Sequence, residues 1–247
     1  MHAITKFQNK ILIFLTLFLV LLIKSDAGTS TTNLNSKRFA DPFTDQLNNF
    51  VFLISERTIF NQSLPESTAS GFIFTSTRSH VFIMTANHFC WNNETTEEIE
   101  FAKRTIIAVN KEYPREAHIL LTDEKNDICI LSALKYKWEN FKTIKFAKNM
   151  PKTGEKVYNF AAPNGISSPN TNLMFEGYFS GCEDLCLYTI PSTFGSSGSA
   201  VYNSKGELIS ILVAATPDFE NVGLGPDIHT IRKFLDEANN TVRIKWN

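Results

Sequence analysis

From Asn49 onward the chain alternates short apolar runs with polar turns. Residues 50–54, 71–75, 80–86, 105–110, 117–121 and 127–134 are rich in Ile, Val, Phe and Thr. These side chains suit a pleated, half-buried surface, so each run is predicted as a strand. A second set follows Pro151, over residues 156–162, 173–180, 185–190, 199–203 and 207–215. Asn203-Ser204-Lys205-Gly206 separates the last two as a hairpin turn, with Gly206 where a positive φ is expected. Helical spacing occurs only near the C-terminus. There Pro226 suits a first turn, and Ile228, Ile231, Phe234 and Leu235 form one apolar stripe. Strands in two batches with one terminal helix predict an all-β barrel or sandwich. No repeat with a period of about 20–50 residues is present.

The N-terminus follows another pattern. Lys6 and Lys10 precede an apolar run over residues 11–23, and Lys24 closes it. A membrane-spanning helix needs about 20 apolar residues, so this run is short for a span and suits the apolar region of a secretory signal. Ser25 and Ala27 put small residues at the −3 and −1 positions of a cut after Ala27. Residues 1–27 are therefore read as a cleaved signal peptide, in preference to an uncleaved anchor. Residues 28–48, polar and without periodicity, are read as a linker.

Composition narrows the function. The chain carries 24 Lys and Arg against 25 Asp and Glu; without residues 1–27 the balance is 21 against 24, or −3. Nucleic-acid binding driven by bulk positive charge is thereby disfavoured. A hydrophobic content of 43% argues against disorder. Four cysteines are too few for a small disulfide scaffold, and they lack zinc-finger spacing.

Three segments could carry chemistry. Residues 82–90 run from an apolar strand into His88. Asp127 opens a segment that is otherwise apolar, although Asp is depleted in strands and costly to bury alone. In Gly195-Ser196-Ser197-Gly198-Ser199, glycines flank a serine pair and allow a sharp turn that projects a hydroxyl. Singly, each has a plainer reading: a histidine at a strand end, a turn aspartate, a Gly/Ser loop. In combination the order is His, Asp, Ser, with separations of 39 and 70 residues. A serine nucleophile needs a base, and the base needs a carboxylate to fix its tautomer.

Thr85-Ala86-Asn87-His88 resembles the Thr-Ala-x-His of trypsin-like serine proteases. Asn126-Asp127-Ile128-Cys129-Ile130-Leu131 resembles their Asp-Ile-x-Leu-Leu strand, and Gly195-Ser196-Ser197-Gly198-Ser199 their Gly-Asp-Ser-Gly-Gly. Ser70-Gly71-Phe72-Ile73 is similar to the Gly-Ser-Gly-Phe strand of the HtrA-like branch. Gly154-Glu155-Lys156-Val157 through Pro163-Asn164-Gly165 is similar to that branch's Gly-x-x-Val…Gly-Asn-Pro-x-Gly. The resemblance spans residues 49–235.

It implies a chymotrypsin-like fold within residues 49–247. Two six-stranded antiparallel β-barrels, about 49–150 and 151–225, would flank a cleft, with a terminal helix over 226–238. It implies His88 as general base, Asp127 as its orienting carboxylate and Ser197 as nucleophile. The backbone N–H groups of Gly195 and Ser197 would form the oxyanion hole. Pro191 would lie at the base of the primary pocket, with Val213, Ala214 and Ala215 as its wall. Pro191 supplies no carboxylate, so small or medium apolar residues are expected before the scissile bond. Substrates would be proteins or peptides, with no cofactor, no metal and no nucleic acid. Ser196 stands where trypsin-like zymogens carry the aspartate that pairs with a freed N-terminus, and no Ile-Val-Gly-Gly start is present. Activation by internal cleavage is therefore not expected. No PDZ domain follows the terminal helix in this sequence.

Cys182 and Cys186 would lie about 13 Å apart in one extended strand, beyond bridging range, and a turn would bring them together. A zinc site would need further ligands, and no His lies nearby. A disulfide is expected, given export. Cys90 and Cys129 each lie two residues beyond a triad candidate, so contact between His88 and Asp127 would bring them close. A second disulfide and two buried free thiols both remain open there. The resulting reading is an exported serine endopeptidase. Its alternatives are a catalytically inactive protease-fold binding protein and an interaction module anchored in a membrane through residues 11–23.

Overall fold

The computed structural model describes residues 43–59, 62–90, 103–168, 171–216 and 219–242. The signal-peptide reading lies outside these residues, as does most of the proposed linker. Among the described residues, no helix is long and apolar enough to cross a membrane.

Helix α1 (Thr44–Asn49) leads into β1 (Phe50–Ile59), β2 (Gln62–Ser76) and β3 (His80–Ala86). The short helix α2 (Asn87–Cys90) precedes β4 (Lys103–Asn110), β5 (Tyr113–Asp123) and β6 (Ile128–Leu134). These six strands close a barrel in the order β1-β2-β3-β6-β5-β4. A connector then leads to β7 (Lys156–Ala161), a 3₁₀ turn (Pro163–Gly165), β8 (Leu173–Cys182), β9 (Cys186–Tyr188) and β10 (Ala200–Asn203). The chain continues through β11 (Leu208–Ile211), β12 (Ala214–Thr216) and β13 (Phe219–Gly225) to helix α3 (Ile228–Val242).

The second sheet has the order β11-β10-β7-β8-β9-β13-β12. Its two outer strands are consecutive in the chain, with only Leu212 and Val213 between them. The Leu212 N–H donates to the Ser199 carbonyl at 2.9 Å, and the Val213 N–H to the Leu224 carbonyl at 2.8 Å. One stretch of chain thus pairs toward both edges and curls the sheet. The result is the expected all-β fold with a C-terminal helix; the first barrel is closed and six-stranded as expected, whereas a curled sheet of seven strands stands in place of a second six-stranded barrel. The expected strand over 207–215 is split in two, and β13 was not foreseen.

Period-two alternation explains where the core sits. On β2, β3 and β6 both faces are apolar. Ile73, Val81, Ile83 and Leu131 fill the first barrel with Val51, Leu53 and Ile106. Their neighbours Phe72, Phe74, Phe82, Met84, Ile128 and Ile130 face outward into a second cluster. That cluster includes Phe160, Tyr202, Leu208 and Ile211 of the second sheet, together with Ile228, Ile231, Phe234 and Leu235 of α3. The predicted helical stripe is therefore what docks α3. Val157, Tyr188, Ile190, Val201 and Ile209 form a third cluster.

Residues 43–48, expected to belong to the linker, pack against the rest of the fold. Phe43 is buried, with its ring 4.4 Å from that of Tyr158. Gln46 Nε2 donates to the Gly206 carbonyl at 2.6 Å, and Asn49 Nδ2 to the carbonyls of Ile73 and Lys142, both at 2.7 Å. One buried aromatic and these amide contacts hold the segment, a pattern too sparse to register as periodicity.

The connector is fastened by a buried ion pair. Arg115 and Glu139 meet in a two-pronged contact, with side chains only 4% and 7% exposed. Glu139 also accepts the Tyr136 N–H at 3.0 Å, and the Arg115 guanidinium lies 4.8 Å over the Tyr136 ring. Removing one partner of such a pair leaves an unpaired buried charge, which costs about 3–5 kcal/mol. Glu139→Ala is expected to lower Tm by roughly 10 °C in thermal unfolding followed by circular dichroism. The double variant Arg115→Met/Glu139→Leu should recover much of that loss, because it removes both charges.

Candidate active site

The β3–β6 pairing runs to Ala86↔Ile128, so the residues leaving β3 face those entering β6. Asp127 sits at that junction with φ of +55°, in the left-handed region that Asp tolerates better than most residues. The turn before it is fixed by Asp123, whose carboxylate accepts the Asn126 N–H at 3.1 Å and its Nδ2 at 2.6 Å. Asp127 then satisfies the start of α2. Its carbonyl accepts the Asn87 N–H at 3.1 Å, and its Oδ1 accepts the His88 N–H at 2.7 Å. Its Oδ2 lies 2.6 Å from His88 Nδ1. Because the carboxylate accepts there, the proton belongs on Nδ1, and Nε2 is left with a lone pair.

Two residues farther along each segment, Cys90 and Cys129 form a disulfide with a Cα–Cα distance of 6.6 Å. It closes off the alternative of free thiols and ties α2 to β6 beside the His–Asp contact. Cys182 and Cys186 form the other disulfide, across the β8–β9 turn.

The 195–199 turn has a distinctive use of its amides. The N–H of Ser196 donates to the Thr193 carbonyl at 3.0 Å, that of Gly198 to Leu212 at 2.6 Å and that of Ser199 to Ser196 at 3.1 Å. The amides of Gly195 and Ser197 donate to no group among the described residues. Both glycines are required. Gly195 and Gly198 have φ of +87° and +81°, and a Cβ on Gly198 would overlap Thr85 Oγ1 and the Ser70 carbonyl. Ser199, where a second glycine is usual, is wholly buried and accepts a 2.8 Å hydrogen bond from Asn159 Nδ2.

His88 and Ser197 line one cavity of about 500 Å³, with Ser192, Thr193, Phe194, Ser196, Leu212, Ala214, Ala215 and Thr216. No hydrogen bond joins Ser197 Oγ to His88 in this structure. A larger cavity of about 1020 Å³, between the connector and α3, contains none of the three triad candidates.

The expected pocket changes in part. Ala214 and Ala215 line the cavity, whereas Pro191 and Val213 do not. Ile190 and Ser192 point inward and leave Pro191 exposed, because successive residues of extended chain face opposite ways. The same alternation turns Val213 into the core shared with α3. The inner wall comes instead from Leu212 and Ser192, with Gly223 of β13 packed against both; a Cβ there would lie 2.5 Å from Ser192 Oγ. Nothing local marked Phe194, which is 88% exposed at the cavity.

The trypsin-like peptidase domain family matches residues 69–211, more than half of the chain. A comparison with curated proteins finds no match. Among solved structures, the chain is similar to an inactive serine-to-alanine mutant of Rv3671c from M. tuberculosis H37Rv, with a TM-score of 0.60 and 14% identity. That likeness covers 83% of this chain and 93% of the other. It is also similar to the serine endoprotease from Yersinia pestis, with a TM-score of 0.61 and 20% identity, over 79% of this chain and 64% of that one. At such identities the structural likeness carries the fold alone. The family match, on a chain with this fold, shows that the protein belongs to the trypsin-like peptidase domain family.

Proposed function

We propose that the protein is an exported serine endopeptidase working through Ser197, His88 and Asp127. The observation that carries this reading is the 2.6 Å contact between His88 Nδ1 and Asp127 Oδ2, at a cavity that Ser197 also lines. Ser197 Oγ attacks the substrate carbonyl carbon while His88 Nε2 takes its proton, and Asp127 orients the imidazole and balances its charge. The Gly195 and Ser197 amides, which have no partner among the described residues, receive the oxyanion. Collapse breaks the C–N bond, His88 returns the proton to the leaving amine, and an acyl-enzyme remains. Water, deprotonated by the same base, then releases the acid and regenerates Ser197. No step calls for a cofactor or a metal.

Two disulfides that use all four cysteines support an oxidising compartment. Export through residues 1–27 is the matching proposal, with residues 49–247 as the protease domain. Ser196 closes its own turn, with its N–H on the Thr193 carbonyl and its Oγ 3.4 Å from the Thr193 N–H. It therefore needs no freed N-terminus to order it. The unformed Ser197–His88 hydrogen bond is the one observation that favours an inactive binding protein, although catalytic hydrogen bonds often tighten only with substrate bound.

Ser197→Ala is expected to abolish fluorophosphonate labelling and to lower kcat by on the order of 10⁴–10⁶ without altering the circular dichroism spectrum. An unlabelled wild-type protein, folded and correctly oxidised, would favour the inactive reading. A recombinant chain beginning at Gly28 should hydrolyse peptides without further cutting; activity that emerges only after an internal cleavage would contradict that expectation. The described residues lining the cavity include no carboxylate, so on this lining a cation before the scissile bond would be buried unpaired. In matched peptides varied at that residue, kcat/KM for Ala, Val, Leu or Thr should exceed that for Arg or Lys by roughly 100-fold or more. Differences within the apolar set should be shallow. A dominant basic preference would refute the pocket described above.

A further inference from the structure

Ser70 is wholly buried on β2 and uses every polar group it has. Its N–H donates to the Ser197 carbonyl at 2.9 Å, and its carbonyl accepts Thr85 Oγ1 at 2.8 Å. Its hydroxyl donates to the Gly195 carbonyl at 2.7 Å and accepts the Ala162 N–H at 2.9 Å. The strand does not need that hydroxyl. β2 pairs with β1 through its main chain, with Ser70 opposite Phe52.

The hydroxyl is one of two pins on consecutive carbonyls. The carbonyl of Phe194 accepts the Asn164 N–H at 2.6 Å, and that of Gly195 accepts Ser70 Oγ. In a trans peptide the N–H points opposite to the C=O, so holding a carbonyl aims the amide that follows it. The first pin aims the Gly195 N–H away from Asn164. The second holds the peptide plane on the far side of Gly195, and between them the pins fix both dihedrals of that residue. Gly195 has no side chain to restrain it and adopts a φ of +87°. Ser70 Oγ is thus a side-chain anchor on the most pliable residue of the turn.

We propose that Ser70 is a positioning residue: by holding the Gly195–Ser196 peptide plane, next to the Phe194–Gly195 plane that Asn164 pins, it keeps the Gly195 N–H turned out as an oxyanion donor before substrate arrives. This rests on the serine-protease reading given above. The first barrel thereby organises a catalytic element of the second, through the Ser70 hydroxyl. The Ala162 N–H, which that hydroxyl also accepts, belongs to the segment leading to Asn164, so one side chain couples both pins.

The test uses Ser70→Ala and the near-isosteric Ser70→Cys, whose thiol fills the space but is a weak donor. Concentrations are normalised by active-site titration. For both variants, kcat/KM should fall about 10- to 100-fold, carried by kcat, with KM changed by less than about threefold. Affinity for a peptide boronate, whose tetrahedral adduct places an oxygen among the oxyanion donors, should fall by a similar factor. Affinity for a non-covalent product peptide and the pH dependence of kcat should not move, because neither the pocket nor the base is touched. If Ser70→Ala does not fold, Ser70→Cys carries the test. A purely packing role requires Ser70→Cys to keep wild-type kcat and boronate affinity, and that result would overturn the proposal. Wild-type labelling by a fluorophosphonate separates the two readings: no labelling sinks the protease reading, whereas normal labelling with unaffected Ser70 variants sinks only this inference.

Discussion

Strands β2, β3 and β6 are covered on both faces, one by the interior of the first barrel and the other by the second sheet and α3. A register slip of one residue in any of them would exchange Ile83 and Leu131 for Phe82 and Ile130 and misfit two cores at once. Register is therefore pinned more firmly here than in a strand with a wet face. The geometry of the candidate site follows from that pinning. Ala86 must face Ile128, so the chain leaves β3 beside the place where it enters β6. His88 and Asp127 meet there because the strands behind them cannot slide.

The second constraint is the accounting of buried amides. A sharp turn such as 195–199 cannot pair its N–H groups as a ladder does, and an orphan amide away from water costs stability. Three amides of the turn find carbonyls within it or on neighbouring chain. The two that do not, at Gly195 and Ser197, alternate with those that do. The positive φ values at both glycines make the alternation possible. Folding energy from elsewhere in the molecule thus leaves two amides of the turn without a partner among the described residues.

The parts legible in the sequence were those written in local patterns. Alternating runs gave ten of the strands their places, the α3 stripe gave the helix that docks, and three short segments gave His88, Asp127 and Ser197 as candidates. What was not legible depended on distant chain. β13 reads Phe-Glu-Asn-Val-Gly-Leu-Gly, in which the glycines suggest a turn. Gly223 is there for a different reason, close packing against Ser192 and Leu212, which only the folded pairing reveals. Of the expected pocket residues, Pro191 at the base and Val213 in the wall do not line the cavity. Pro191 was placed by counting residues, but side-chain direction follows the pleat, which buries Ser192 and exposes Pro191. Residues 43–49 were hidden in a polar stretch because one phenylalanine and a few amide contacts set no period.

The His88–Asp127 contact needs a different valuation from the buried Arg115–Glu139 pair. The His88 and Asp127 side chains are 49% and 27% exposed, against 4% and 7% for Arg115 and Glu139. In so wet a setting, even a fully charged pair adds only about 0–1 kcal/mol to stability. Its contribution lies in geometry instead. One carboxylate oxygen holds the His88 backbone N–H at 2.7 Å, while the other holds the ring at 2.6 Å. The same group therefore fixes both where the residue begins and how its imidazole turns. The adjacent disulfide limits how far α2 can swing from β6. If His88 is the base, as proposed above, a substrate lying across the cavity would exclude water from the ring and strengthen the contact as a proton reaches Nε2. The exposure that makes the pair weak at rest leaves room for that gain.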